Sequence, residues 1–134
     1  CLDLGSGSLE YVNAGHNTPV LLRQSGFEVL PISENMPLGI LDETEFISGS
    51  IALHPGDILL LYTDGVTEAM DAAGNEFGCD RLNEAVLAAA ASSASGVIES
   101  VLDQVRQHAF GVDQSDDITM LCLRYIKNET TKTL

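Results

Sequence analysis

The stretch DILLLYT, residues 57–63, limits the fold of this chain more than any other. From Leu59 to Tyr62 four apolar or aromatic residues follow one another with no polar alternation, and HPG at 54–56 supplies a turn just before them. A short unbroken apolar run bounded by turn signals reads as a fully buried strand. It ends in Thr63-Asp64-Gly65, so a carboxylate stands where the chain turns. Two readings are open on this stretch alone: an ordinary turn acid, or a strand that holds a carboxylate still.

The other segments set the layout around it. LEYVNAG, 9–15, follows Gly5-Ser6-Gly7 and reads as one arm of a hairpin; PVLLRQSGFEVL, 19–30, has two apolar arms around Gln24-Ser25-Gly26. EFISGSIAL, 45–53, alternates as a half-buried strand does. Beyond residue 80 the period changes. Leu82, Ala85, Val86 and Ala89 fall at i, i+3, i+4 and i+7 and predict a helix over 81–91 with an alanine-rich stripe. SSASG, 92–96, breaks it and offers an N-cap, and Val97, Val101, Leu102 and Val105 predict a second helix ending near Phe110-Gly111. ITMLCLRYI, 118–126, predicts another buried strand, and residues 127–134 a polar tail. Hairpin-linked strands, a helix pair and a final strand make an α+β fold, with an antiparallel sheet and the helices on one face.

Composition excludes several functions. Six Lys and Arg against 20 Asp and Glu give a net charge of −14, which repels phosphate backbones and anionic membrane surfaces. The same excess suits a site that collects cations. Three cysteines, Cys1, Cys79 and Cys122, form no paired spacing, so a reducing, cytoplasmic compartment is expected. No run of about 18 apolar residues predicts a membrane span, and no signal peptide is expected.

CLDLGSGS resembles a nucleotide-binding glycine loop, but the strand-like SLEYVNA follows where such a loop needs a helix. Gly5-Ser6-Gly7 is therefore read as a hairpin turn. The chemistry sits elsewhere. Asp64 follows one buried strand, and Asp116-Asp117 precede another. If the two strands pair antiparallel, the three carboxylates meet at one edge of the sheet. They would repel one another there, and Arg81, Arg106 and Arg124 are placed too far along their elements to neutralise them. A hard divalent cation is the natural compensation, able to activate a bound water. On spacing alone, strand-end and turn acids remain an open alternative. His16, in NAGHN, is either a turn residue or a general acid facing the same cleft. Cys79 has no base near it in sequence, and His54 and His108 have no partners.

Taken in order, LEYVNAGHNTPVLL, MPLGI, LHPGDILLLYTDGVTEAMDAAGNEFG and DDITMLCLRY resemble the second half of a SpoIIE-type phosphatase, of the metal-dependent PPM (protein phosphatase 2C-like) superfamily. The likeness spans residues 2–126. It implies a layered sandwich of antiparallel β-sheets flanked by helices, with two Mn²⁺ or Mg²⁺ ions at one end. It also implies hydrolysis of phosphoserine or phosphothreonine by a metal-activated water. Asp64 matches the metal-binding aspartate of the TDG motif. Asp116 matches that of the terminal D-D/N-x-T motif, with Asp117 as its polar neighbour. By the same likeness Gly65 allows the tight turn behind Asp64, and Thr119 secures the start of the last strand. His16 stands where the broader superfamily has the aspartate of G-D-S-R.

The likeness also carries a departure. The bridging aspartate of such domains belongs to a G-G-D-x-x-D-like segment of the first half, and no such segment occurs in these 134 residues. Residues 1–126 are thus expected to form the C-terminal part of a phosphatase domain, incomplete at its N-terminus, with weak or no activity alone and with an exposed sheet that pairs into a homodimer. The implied substrate is a phosphorylated STAS-domain anti-anti-sigma protein, and an upstream sensor or response-regulator module is implied as well. The rival reading is a catalytically inactive regulatory or binding module of the same fold.

Overall fold

The computed structural model describes residues 1–40 and 43–126; the polar tail expected at 127–134 lies outside them. The apolar run forms β5 (Ile58–Tyr62), held between β2 (Val20–Arg23) and β6 (Met120–Arg124). With β3 (Gly26–Val29) at the far edge, the sheet runs β3-β2-β5-β6, antiparallel throughout. A strand in this position is covered on both faces, and its side chains divide accordingly. Ile58, Leu60 and Tyr62 join the core under the helices, while Leu59 and Leu61 join a second core on the opposite face. The buried reading of 57–63 holds for that reason.

The reading of 118–126 as buried needs correction. β6 is an edge strand, Leu121 is 58% exposed, and only one face of it meets the helices. A run of apolar residues marks burial on both faces only when a neighbour covers each, and on this face of β6 the second core covers Leu123 in part and leaves Leu121 exposed.

Two helices cover the first face: α2 (Gly78–Ala88) and α3 (Ala94–His108). α2 begins three residues earlier than its apolar period indicates, because Arg81 donates to the carbonyls of Glu76 and Phe77 and ties down its first turn. The alanine stripe is present, with Leu82, Ala85, Val86 and Ala89 against Val97, Val101 and Val105. Small side chains let α3 fold back closely on α2 across a five-residue connection. Ser93 caps α3, its hydroxyl accepting from the Gly96 N–H at 3.2 Å. Arg124 of β6 donates to the carbonyls of Ala90 and Ser92, so the helix connection is fastened to the sheet.

On the other face lies a two-stranded sheet of β1 (Ser8–Tyr11) and β4 (Gly49–Ala52). Leu9, Tyr11 and Ile51 pack with Leu21, Leu30, Leu53 and Leu59 between the two sheets. The half-buried strand expected over 45–53 is therefore present but shorter. Gly5-Ser6-Gly7 is the expected turn: Leu2 bridges Leu9, and the Asp3 N–H donates to the Ser8 carbonyl. Helices, four-stranded sheet and two-stranded sheet stack as three layers. Among the described residues no helix is long and apolar enough to cross a membrane.

Between α1 (Asp64–Thr67) and α2 the chain makes a tight loop around Asp71. The carboxylate of Asp71 accepts from the Asn75 amide and from the backbone N–H groups of Asn75 and Ala73, at 2.9 to 3.2 Å. Asn75 first, and the neighbouring His108 last, hold its pKa down at about 2, against an ordinary 3.8. A depressed carboxylate contributes stability that is present above its unfolded value and is lost as pH falls through the folded one. Asp71→Asn is therefore expected to melt below the native protein at neutral pH, with the gap closing between about pH 4 and pH 2. Thermal melts across that series check it.

Candidate functional site

β5 and β6 are antiparallel neighbours, as the carboxylate argument required, with Tyr62 opposite Met120 at the end of the ladder. The end of one strand therefore meets the approach to the other, and Asp64 and Asp116-Asp117 share that edge. All three are exposed. The turn expected after Thr63 is a single helical turn, α1, which Asp64 opens. Asp64 Oδ1 accepts from the Gly65 N–H at 3.1 Å, and Asp116 Oδ1 accepts from the Asp117 N–H at 2.7 Å. Each acid thus stiffens its own loop through one oxygen. Among the described residues no Lys or Arg pairs with any of the three. Arg81 and Arg124 are bound to backbone carbonyls elsewhere, and Arg106 faces Asp103 at 3.7 Å.

The role expected of Gly65 changes. Its φ is not positive, so the turn does not require a glycine. Close approach requires it: a Cβ at Gly65 would lie 2.6 Å from the Asp117 carbonyl oxygen and 3.2 Å from that of Asp116. The absent side chain lets the Asp64 turn seat directly on the Asp116-Asp117 backbone. Thr119 does secure the start of β6, but through its backbone, and the side chain involved is that of Thr63. The Thr63 hydroxyl donates to the Asp117 carbonyl at 2.8 Å and accepts from the Thr119 N–H at 2.9 Å. Thr63 escaped the sequence reading because a threonine before Asp-Gly looks like a routine turn residue.

His16 lies before β2, whose Val20 pairs with Leu60, so its loop approaches the same edge of the sheet. It is exposed and turned to its own loop. Asn13 brackets the backbone of His16 with two 2.8 Å hydrogen bonds, and His16 Nδ1 is 3.0 Å from the Asn17 carbonyl. No hydrogen bond joins it to the carboxylates among the described residues. It lines instead a cavity of about 430 Å³ between the sheets, with Tyr11, Leu59, Leu61, Leu121 and Leu123. None of the three aspartates lines that cavity, whose walls are mainly apolar.

A divalent cation fits the edge in kind and falls short in number. Carboxylates without a counter-cation are the donors Mg²⁺ and Mn²⁺ take, and the Gly65 cradle holds them on rigid elements. Among the described residues, however, no group of three or more His, Cys, Asp or Glu side chains is placed to hold an ion together. Among the described residues the three acids therefore do not by themselves complete a divalent-cation site.

The cysteines offer no rival site. Burial, with a contribution from Cys79, pushes the Tyr62 phenol beside that thiol up to about 12, so it gives Cys79 no base at neutral pH. Burial also raises the Cys122 thiol.

A helix pair over a four-stranded antiparallel sheet, a second sheet beneath, and carboxylates at the shared strand end define a phosphatase domain of the PPM type as the class of fold. Residues 1–126 match the family described as Stage II sporulation protein E (SpoIIE), and the chain belongs to that family. Protein IcfG of Synechocystis sp. is 33% identical over 122 residues, 91% of this chain and 19% of its own. The phosphoserine phosphatase RsbP of Bacillus subtilis is 36% identical over 67 residues, 50% of this chain and 17% of its own. Among solved structures, the RsbU and RsbW domains of Rv1364c from Mycobacterium tuberculosis superpose with a TM-score of 0.71 at 26% identity. That match covers 94% of this chain and 34% of the other. The chain thus spans less than a fifth of the length of these two relatives and about a third of that solved chain.

Proposed function

We propose that this chain is the part of a protein serine/threonine phosphatase domain that carries two of its metal-binding aspartates, Asp64 and Asp116, with Asp117 beside them. The observation that carries the reading is the close seating of Gly65 on the Asp116-Asp117 backbone, which brings the acids that follow β5 and precede β6 to one edge with no cation paired to them among the described residues. Mn²⁺ or Mg²⁺ bound there supplies Lewis acidity and an activated water for attack on a phosphoserine or phosphothreonine. The chain's own contribution is to hold Asp64 on the first turn of α1 and Asp116 on the approach to β6, with the described arginines engaged elsewhere. His16, in the loop before β2, is the group that would act on a leaving group once a substrate turns it toward this edge.

The relative named a phosphoserine phosphatase supports phosphoserine as substrate, and the RsbU and RsbW domains found together in one solved chain support a partner-switching setting. On that ground the substrate is a STAS-type anti-anti-sigma protein, the regulator an upstream sensor or response-regulator module, and the compartment the cytoplasm. Three free thiols agree with that compartment. The apolar outer face of β6 is where a homodimer would form. The rival, an inactive module of the same fold, gives no reason to hold three unneutralised acids at one edge.

The test is release of phosphate from a phosphoserine peptide by the full-length protein, with and without Mn²⁺. Release that needs the ion and stops on chelation is the expected result. Release at the same rate in chelator, or none with either ion, rejects the reading.

A further inference from the structure

We propose that Thr63 is a positioning residue: its hydroxyl fixes the separation between Asp64 and the Asp116-Asp117 pair, and so sets how tightly this edge binds a divalent cation. The proposal rests on the reading of these acids as metal ligands and adds the group that holds them in register.

The argument begins where the sheet stops. The ladder between β5 and β6 ends at Tyr62 opposite Met120, and the carboxylates lie beyond it on both sides. Strand ends without cross-links fray, and acids that repel one another drive them apart. Thr63 closes this gap with three bonds. Its backbone N–H donates to the Thr119 carbonyl at 3.0 Å, continuing the ladder by one rung. Its hydroxyl then spans two residues of the other strand, donating to the Asp117 carbonyl and accepting from the Thr119 N–H. Only a hydroxyl on a short stem can give and take at this spacing. On its other flank, Gly65 admits the Asp116 and Asp117 carbonyls against the turn. Asp64 is thereby held through both sequence neighbours to the segment that carries the facing acids, Thr63 bonding Asp117 and Thr119 and Gly65 abutting Asp116 and Asp117.

A purely structural role would affect stability alone. Both groups bonded by the hydroxyl lie at an exposed edge, where water can replace it, so the cost in folding is modest while the geometry loosens. Metal sites are sensitive to looseness of this kind: losing a group that orients the ligands weakens metal affinity by about 10–100-fold. Thr63→Val keeps the shape and removes both side-chain bonds, whereas Thr63→Ser keeps both bonds.

The experiment titrates Mn²⁺ into the full-length protein by calorimetry, with thermal melts run on each variant. Thr63→Val is expected to bind Mn²⁺ at least tenfold more weakly, and Thr63→Ser within about threefold of the native protein. Ser93→Ala, which removes a helix cap away from this edge, is expected to lower the melting temperature without changing the affinity. Native affinity in a folded Thr63→Val protein overturns the proposal, as does an equal loss in Thr63→Ser. Should the valine variant not fold, Thr63→Ala is read by the same criteria. Asp64→Asn separates the two levels: if it abolishes binding while Thr63→Val does not weaken it, only the role of Thr63 fails. If Asp64→Asn also binds as the native protein does, the reading of the edge as a metal site fails with it.

Discussion

Asp64→Asn is expected to lower Mn²⁺-dependent phosphate release by about 100-fold or more while leaving the fold intact. The substitution is close to isosteric, and an asparagine Oδ1 can still accept the Gly65 N–H that now bonds to the aspartate. Asp64 is exposed, so no core contact changes, and surface replacements of this sort shift stability by about 0.5 kcal/mol at most. What changes is charge. Replacing a carboxylate by a neutral amide removes a large share of the attraction this edge offers a divalent ion. Groups that only orient metal ligands are worth about 10–100-fold, and a ligand itself should reach at least the top of that range. Asp113→Asn is the matched control: it removes the same charge from an exposed position in the loop before Asp116, without touching the Thr63–Gly65 clasp. Steady-state phosphate release, read beside a circular-dichroism melt, checks both. A loss in Asp113→Asn equal to that in Asp64→Asn would assign the effect to the general acidity of the chain.

Those two acids also mark what sequence conveys well. The pairing of β5 with β6 was legible because two apolar runs flanked by acids have few partners to choose from in a small sheet, and antiparallel pairing puts their charged ends together. The helix pair was legible from period, but α2 lies three residues earlier at both ends than the expected 81–91; at its start Arg81 captures carbonyls, a tertiary choice invisible to periodicity. The edge position of β6 was not legible. Leu121 and Leu123 look like core residues in sequence, and they belong to a sheet face whose cover depends on which strands lie beside it. At that edge, the meeting of Asp64 and Gly65 with Asp116 could be anticipated, but the reason for Gly65 could not. A glycine after an acid suggests a turn dihedral, and the contact with Asp117 that in fact requires it is 52 residues away in sequence.

The least legible feature carries the largest stability prediction. Arg23→Leu is expected to destabilise the fold by about 3–5 kcal/mol, because it strips the cation from a buried carboxylate. Asp57 is 1% exposed, and Arg23 Nη1 reaches its Oδ2 at 2.6 Å. The same carboxylate oxygen accepts from the His54 N–H at 2.8 Å. His54, unremarkable in sequence, thus uses its backbone to help bury Asp57, while its ring nitrogen lies 3.0 Å from the guanidinium. Arg23 also donates to the Ala52 carbonyl at 3.1 Å, so one side chain of β2 ties the four-stranded sheet to the end of β4 in the other layer. Glu28, the other carboxylate on Arg23, is 48% exposed, and Glu28→Gln is expected to cost about 1 kcal/mol or less. Urea denaturation separates the two. Because Asp57 lies before the start of β5 and Asp64 beyond its end, Arg23→Leu should spare the Mn²⁺ affinity of whatever fraction remains folded. A loss of affinity in step with stability would mean that the two ends of β5 are coupled, and that the strand transmits strain as well as fixing the carboxylate at its tip.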